Sequence, residues 1–231
     1  GTFSEVVKKA TSHTAFYGMG ADISDFNNDG NLDIFQVDMD AQNNRRQKAN
    51  MASMNPQLFQ DIADAGFQYQ YMQNCLQINS GVFKDGIPHF SNVSRLTGTS
   101  STDWSWGPLF ADFDNDGFKD LFISNGTRRE INNNDYFNKL EEIEIEAHTL
   151  LQLSLKIPSE KIDNFVYRNK GNLEFERVNK SWGIEYKGFS NGVAYADLDR
   201  DGDLEVIINN IDDRASVFEN RSSERNNYLR V

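Results

Sequence analysis

Apolar and polar residues alternate along most of the chain in short runs, and clusters of Asp, Asn and Gly close many of them. Period-two alternation marks half-buried strands, and such clusters mark the turns between them. Three segments, 20–35, 107–122 and 192–207, align without gaps. Each has a Gly (Gly20, Gly107, Gly192) five residues before an Asp-rich loop, and an apolar strand such as Leu121-Phe122-Ile123 or Val206-Ile207-Ile208 after it.

Two further elements recur. One is a strand ending in Asn: 74–79, 164–169 and 215–220. The other is a short aromatic–x–x–Val strand: Phe3 to Val6, Phe90 to Val93, Phe175 to Val178 and Tyr228 to Val231. Each unit therefore reads strand, loop, strand, strand, strand, and four antiparallel strands per repeat is the composition of a propeller blade. The expected fold is all-β: a β-propeller segment of four-stranded blades filling residues 1–231. Its opening at Gly1-Thr2-Phe3-Ser4-Glu5-Val6 reads as mid-strand, as in a piece of a longer protein.

The repeat spacing is uneven. Asn169 to Asn220 is 51 residues, close to one blade, whereas Asn79 to Asn169 is 90. The excess falls between the loop hairpin and the Asn strand, which places insertions at about 40–73 and 127–162. Both read as partly helical. In the first, Asn55 is an N-cap before Pro56, with Leu58, Phe59 and Ile62 on one face and Gly66 as a stop. In the second, Phe137, Leu140, Ile143, Leu150 and Leu151 keep a helical rhythm over Asp135 to Leu155, before Pro158.

The loops carry the chemistry. Ca²⁺ takes six to eight oxygen ligands, and acids at alternate positions of a tight loop converge on one point where a Gly at position six permits the turn. The first loop (25–33) offers Asp25, Asn27, Asp29 and Asp33 with the Asn31 carbonyl. The second (112–120) offers Asp112, Asp114, Asp116 and Asp120 with the Phe118 carbonyl. The third (197–205) offers Asp197, Asp199, Asp201 and Glu205 with the Asp203 carbonyl. Glu at the ninth position is a departure, its longer reach shifting the ion or binding through water. An EF-hand would need a Glu at position twelve, where Gln36, Ile123 and Ile208 stand, and helices on both flanks. Carboxylates packed this closely repel strongly without a cation, so three ions are expected.

Charge changes the picture once the acid is located. The formal net charge is −12, and the loops alone hold twelve carboxylates, so acid is gathered into ligand clusters. Such a surface repels phosphate backbones and argues against nucleic acid. Mean hydropathy is −0.64, with no run long enough for a membrane-spanning helix. The single Cys75 forbids an internal disulfide.

The loops resemble the FG-GAP or VCBS repeats of integrin α-chain propellers, and more closely the calcium propellers of the cartilage acidic protein family, often joined to an ASPIC/UnbV domain. Asn50-Met51-Ala52-Ser53-Met54-Asn55-Pro56, Tyr69-Gln70-Tyr71-Met72-Gln73-Asn74 and Asp103-Trp104-Ser105-Trp106-Gly107-Pro108-Leu109-Phe110-Ala111 are similar to a Bacteroidetes branch of surface-exposed VCBS proteins. Asn227-Tyr228-Leu229-Arg230-Val231 looks like the approach to an ASPIC/UnbV domain. The resemblance implies a propeller of about seven blades, exported to the periplasm or bacterial cell surface, with no settled activity.

Function then reads as a non-enzymatic binding or scaffold module whose blades Ca²⁺ rigidifies. Its protein or glycan partner would meet the insertions through Arg45, Arg46, Tyr69, Tyr71, Trp104, Trp106, Arg128 and Arg129. The bland alternative is that the aromatics pack the insertions onto the blades. Glycan adhesion through an open calcium position is the rival reading, and a carbohydrate-active hydrolase the weaker one. His13, His89 and His148 sit in no zinc-like or triad-like context.

Overall fold

The computed structural model describes residues 1–50, 55–141, 150–226 and 228. It is mostly β, with short helices confined to linking segments. Three antiparallel sheets carry the chain. The first has the order Gly20–Ser24, Asp33–Val37, Cys75–Lys84, Ile87–Asn92. The second runs Asp103–Ala111, Asp120–Asn125, Phe165–Asn169, Phe175–Arg177, with Met39–Asp40 added beside its first strand. The third runs Ser190–Ala196, Glu205–Asn210, Ser216–Phe218.

Alternation drives this arrangement. In Asp33–Val37 the residues Asp33, Phe35 and Val37 are buried while Ile34 and Gln36 are partly exposed. Asp120–Asn125 is buried throughout, as expected of a strand covered on both faces. The first strands of the three sheets lie side by side. Between the first and second sheets, Phe26, Phe35, Leu76, Phe110, Leu121 and Tyr167 form one apolar cluster. Between the second and third, Phe113, Phe122, Val166, Val178, Val206 and Ile208 form another. Gly20 is fixed by this packing: a Cβ there would lie 2.1 Å from the Trp106 carbonyl oxygen of the next sheet.

Both insertions leave between the second and third strands of their sheets. The Asn55 side chain caps the helix Pro56–Asp64 by accepting from the Gln57 and Leu58 N–H groups, and a further helix covers Asn44–Asn50. The second insertion has helices Asn134–Glu141 and Leu150–Leu155; the expected helical positions around Ile143 lie outside the described residues. So do Met51 to Met54, and most of the terminal segment read as a fourth strand and as the approach to another domain.

One expected strand is absent. Phe3 to Val6 is not a strand, and Phe3 is fully exposed. The Val6 carbonyl instead accepts from Lys9 and Ala10 N–H, opening the short helix Val7–Ala10. Apolar alternation makes a strand only where a neighbouring ladder receives its backbone groups. The following segment is anchored by His13, whose Nε2 receives Asn92 Nδ2 at 2.8 Å and faces Gln73 Nε2 at 3.3 Å. The Asn92 amide is oriented by Leu76 and Ser94 N–H donating to its oxygen, so His13 Nε2 must be the acceptor. Burial, then Arg95, holds the imidazole below its ordinary value of 6.5. Protonation is thus disfavoured in the native state, so this contribution is complete above the unfolded value and fades as pH falls below it. An NMR titration should find His13 titrating below 6.5; a midpoint at or above that would contradict this geometry.

Candidate metal centres

Each loop sits where the first strand of a sheet turns into its second. The turn is made by left-handed residues at positions four and six: Asn28 and Gly30 (φ 58° and 86°), Asn115 and Gly117 (56° and 92°), Arg200 and Gly202 (67° and 95°). Glycine suits the second of each pair because it takes positive φ without a Cβ penalty. The turn folds the carboxylates back over its own N–H groups. Asp25 accepts from Asp29 and Gly30, and Asp112 accepts from Asp116 and Gly117, all at 2.9–3.0 Å.

The ninth position begins the second strand and is buried in all three loops: Asp33 and Asp120 are fully inaccessible and Glu205 is 4% exposed. Asp120 accepts the Phe113 N–H on one oxygen and the Asn169 N–H on the other, both at 2.9 Å. Asp33 does the same with Phe26 and Asn79, at 3.4 and 2.7 Å. The ninth acid thereby ties its own loop to the third strand of its sheet. Burial pushes the Asp33 carboxyl up to about 6 and the Asp120 carboxyl up to about 8, and also raises Glu205. Asp114 is raised by burial and then by Asp116. These carboxylates face desolvation and one another, which a bound cation would offset.

Among the described residues, three carboxylate groups have ligand oxygens within 4.8 Å of one another: Asp112, Asp114 and Asp120; Asp197, Asp199 and Glu205; and Asp201, Asp203 and Glu205. These clusters could hold a metal ion. The first loop has Asn27 where the others have an acid, and its amide donates to Asp29 Oδ2 at 2.9 Å. Carboxylates and loop carbonyls are the donor set of hard divalent cations.

Several residues of the site carry no signature in the loop pattern. Arg168, on the third strand of the second sheet, reaches the second loop with Nε 2.7 Å from Asp114 and Nη2 2.8 Å from Asp116. Strand-end asparagines join loops of adjacent sheets. Asn169 Nδ2 donates to the Phe26 carbonyl (2.8 Å) and to Lys119 of its own sheet (3.0 Å). Asn220 Nδ2 does the same to Phe113 (2.7 Å) and Leu204 (3.2 Å). Asn28 and Asn115 complete the chain by donating to the Gly117 and Gly202 carbonyls of the following loop, at 2.9 and 3.3 Å. Asn169→Ala strands two carbonyls at a sheet boundary and should cost about 1–3 kcal/mol in urea unfolding, against near zero for an exposed control such as Asn209→Ala.

The partner residues separate into two groups. Arg46 and Trp104 are buried. Arg46 is held by Asp103, Glu130 and Glu160, and Trp104 packs with Met39 and Ala41. Trp106 is half-buried with Nε1 on the Gly126 carbonyl, and Arg129 donates to the Ile157 carbonyl. Arg45 and Arg128 are exposed but paired, with Glu160 and Asp212. Tyr69 and Tyr71 remain on the surface of the first insertion, flanking Phe59 with ring centroids 5.8 and 5.5 Å away.

No family model matches the chain, and no curated protein matches it significantly. The functional reading therefore stands on the loops and their geometry.

Proposed function

We propose that this chain is a calcium-stabilised β-propeller segment that serves as a non-enzymatic binding or scaffold module outside the cell, at a bacterial surface or in the periplasm. The observation that carries the calcium reading is the buried ninth acid of each loop, raised by desolvation and, in the second and third loops, clustered with further carboxylates. The propeller reading is supported by the bonds that repeat from sheet to sheet: Asn169 to Phe26 and Asn220 to Phe113, Asn28 to Gly117 and Asn115 to Gly202. The same bonds recur from the first sheet to the second and from the second to the third, as repeated blades would require. Leu198, at the loop position of the buried Phe26 and Phe113, is 57% exposed on the face where a further blade would pack.

The conspicuous carboxylates are engaged within the loops, which favours a module that binds over a hydrolase. Tyr69 and Tyr71, exposed on either side of Phe59, are the residues most suited to a protein or glycan partner. Isothermal titration of the metal-stripped chain with Ca²⁺ tests the core of this reading, with binding of at least three ions as the expected outcome. No Ca²⁺ uptake would leave the loops as turns. A glycan array read with and without EDTA, on wild type and Tyr69→Ala, tests the ligand class; binding that ignores both changes would place recognition elsewhere.

A further inference from the structure

The third loop holds more acid than the other two. Position seven is Asn31 in the first and Phe118 in the second, but Asp203 here, and its side chain is fully buried. Just after the third strand, Glu219 stands where the second sheet has Arg168, whose guanidinium neutralises part of the second loop. Five carboxylates therefore meet in the third loop, and even with Arg200 counted it keeps a larger negative excess than either neighbour.

The hydrogen bonds hold these acids in place without satisfying them. Ser223, on the 3₁₀ turn Ser222–Glu224, gives its N–H to Asp203 Oδ2 at 3.0 Å and its hydroxyl to Asp201 Oδ2 at 2.9 Å. Leu198 N–H donates to Glu205 Oε2 at 2.6 Å. Asp203 Oδ1 and Glu205 Oε1 are buried with no hydrogen-bond partner. Two buried, unpartnered carboxylate oxygens in one small cluster call for a shared proton or a cation. Here the cluster is already bounded by a third carboxylate, Asp201.

We propose that the third loop binds two divalent cations, one held by Asp197, Asp199 and Glu205 and the other by Asp201, Asp203 and Glu205, with Glu205 bridging them. This rests on the reading of the loops as calcium sites and extends it. Glutamate at the ninth position then has a reason. Asp120 accepts a backbone N–H on each oxygen besides offering one to an ion, whereas Glu205 is a methylene longer and its Oε1 has no hydrogen-bond partner. A carboxylate bridging two cations about 4 Å apart is a familiar oxygen-donor arrangement. Asp203 is the residue specific to the second position, since the first cluster does not use its side chain.

The test is calcium stoichiometry on the metal-stripped full chain, with Asp203→Asn compared to wild type. Asparagine keeps an oxygen for the Ser223 N–H but removes the charge. Wild type should bind one ion more than the number of loops, and Asp203→Asn should lose one equivalent with the remaining affinities unchanged. Crystals grown with Tb³⁺ should show two anomalous peaks in the third loop, which decides the matter in wild type even where the variant folds poorly. One ion per loop in wild type, or a single peak in the third loop, would overturn the proposal and leave Asp203 and Glu205 sharing a proton. Absence of Ca²⁺ binding at every loop would instead sink the calcium reading as a whole, a distinct result.

Discussion

Chelating calcium with EDTA is expected to lower the midpoint of thermal unfolding by roughly 10 °C relative to millimolar Ca²⁺. A site of extracellular-type affinity, near 10⁻⁴ M, contributes about 1–2 kcal/mol at millimolar calcium. Three such sites amount to roughly 3–6 kcal/mol, and in a chain of this length each kcal/mol moves the midpoint by about 2–4 °C. The structural reason is that the ninth acids are buried. Asp120 is fully inaccessible beside Asp112 and Asp114, with its carboxyl pushed up to about 8. Without a cation the native state must keep these groups desolvated, either charged beside other carboxylates or protonated at the expense of their ionised form. Mg²⁺ should restore little, because it demands near-octahedral geometry and gives up its water reluctantly. Equal midpoints in EDTA and Ca²⁺ would show that the loops are self-sufficient turns.

The second large effect is expected at Arg46, which lies far from the loops. Its side chain is 6% exposed and pairs through Nε and Nη2 with Asp103, and through Nη1 with Glu130 and Glu160. These partners come from different elements. Arg46 lies on the helix Asn44–Asn50 of the first insertion, Asp103 begins the first strand of the second sheet, and Glu160 belongs to the second insertion. One guanidinium thus fastens both insertions to the second sheet, and its carboxylate partners hold it firmly charged. Arg46→Met would leave Asp103 and Glu130 buried without a counterion, at a cost of about 3–5 kcal/mol. Arg45→Ala should cost under about 1 kcal/mol, because the Arg45–Glu160 pair is solvent-exposed. Urea unfolding of both variants checks the contrast, and Ca²⁺ stoichiometry should be the same in each. A cost below about 1 kcal/mol for Arg46→Met would mean that water replaces the missing cation.

The two effects differ in how far the sequence announces them. The loops are local objects. Their ligands lie within nine residues, the left-handed turn at Gly30, Gly117 and Gly202 is set by residue type, and the flanking strands follow from alternation. The helix cap at Asn55-Pro56 is local in the same sense and forms as read. Phe3 to Val6 shows the limit: the same apolar spacing occurs there, but its backbone enters no ladder and the chain turns into a short helix.

Arg46 shows the limit from the other side. In sequence it is one of two adjacent arginines in a polar stretch, indistinguishable from its neighbour Arg45. Burial of one and exposure of the other depend on Asp103 and Glu130, 57 and 84 residues away. Arg168 and the strand-end asparagines are similar: Asn169 meets the Phe26 carbonyl across 143 residues of chain.

The sequence by itself determined the all-β character, the position and composition of the acidic loops, and where the insertions leave the sheets. Each of these follows from residue type and spacing over a few positions. Only the tertiary structure decided which arginine is buried, which loop an arginine from another strand reaches, how one loop bonds to the next, and that Asp203 turns its side chain inward beside Glu205. Those outcomes depend on which distant backbone carbonyls and carboxylates the packing of the sheets brings within hydrogen-bonding range, and no local pattern encodes that.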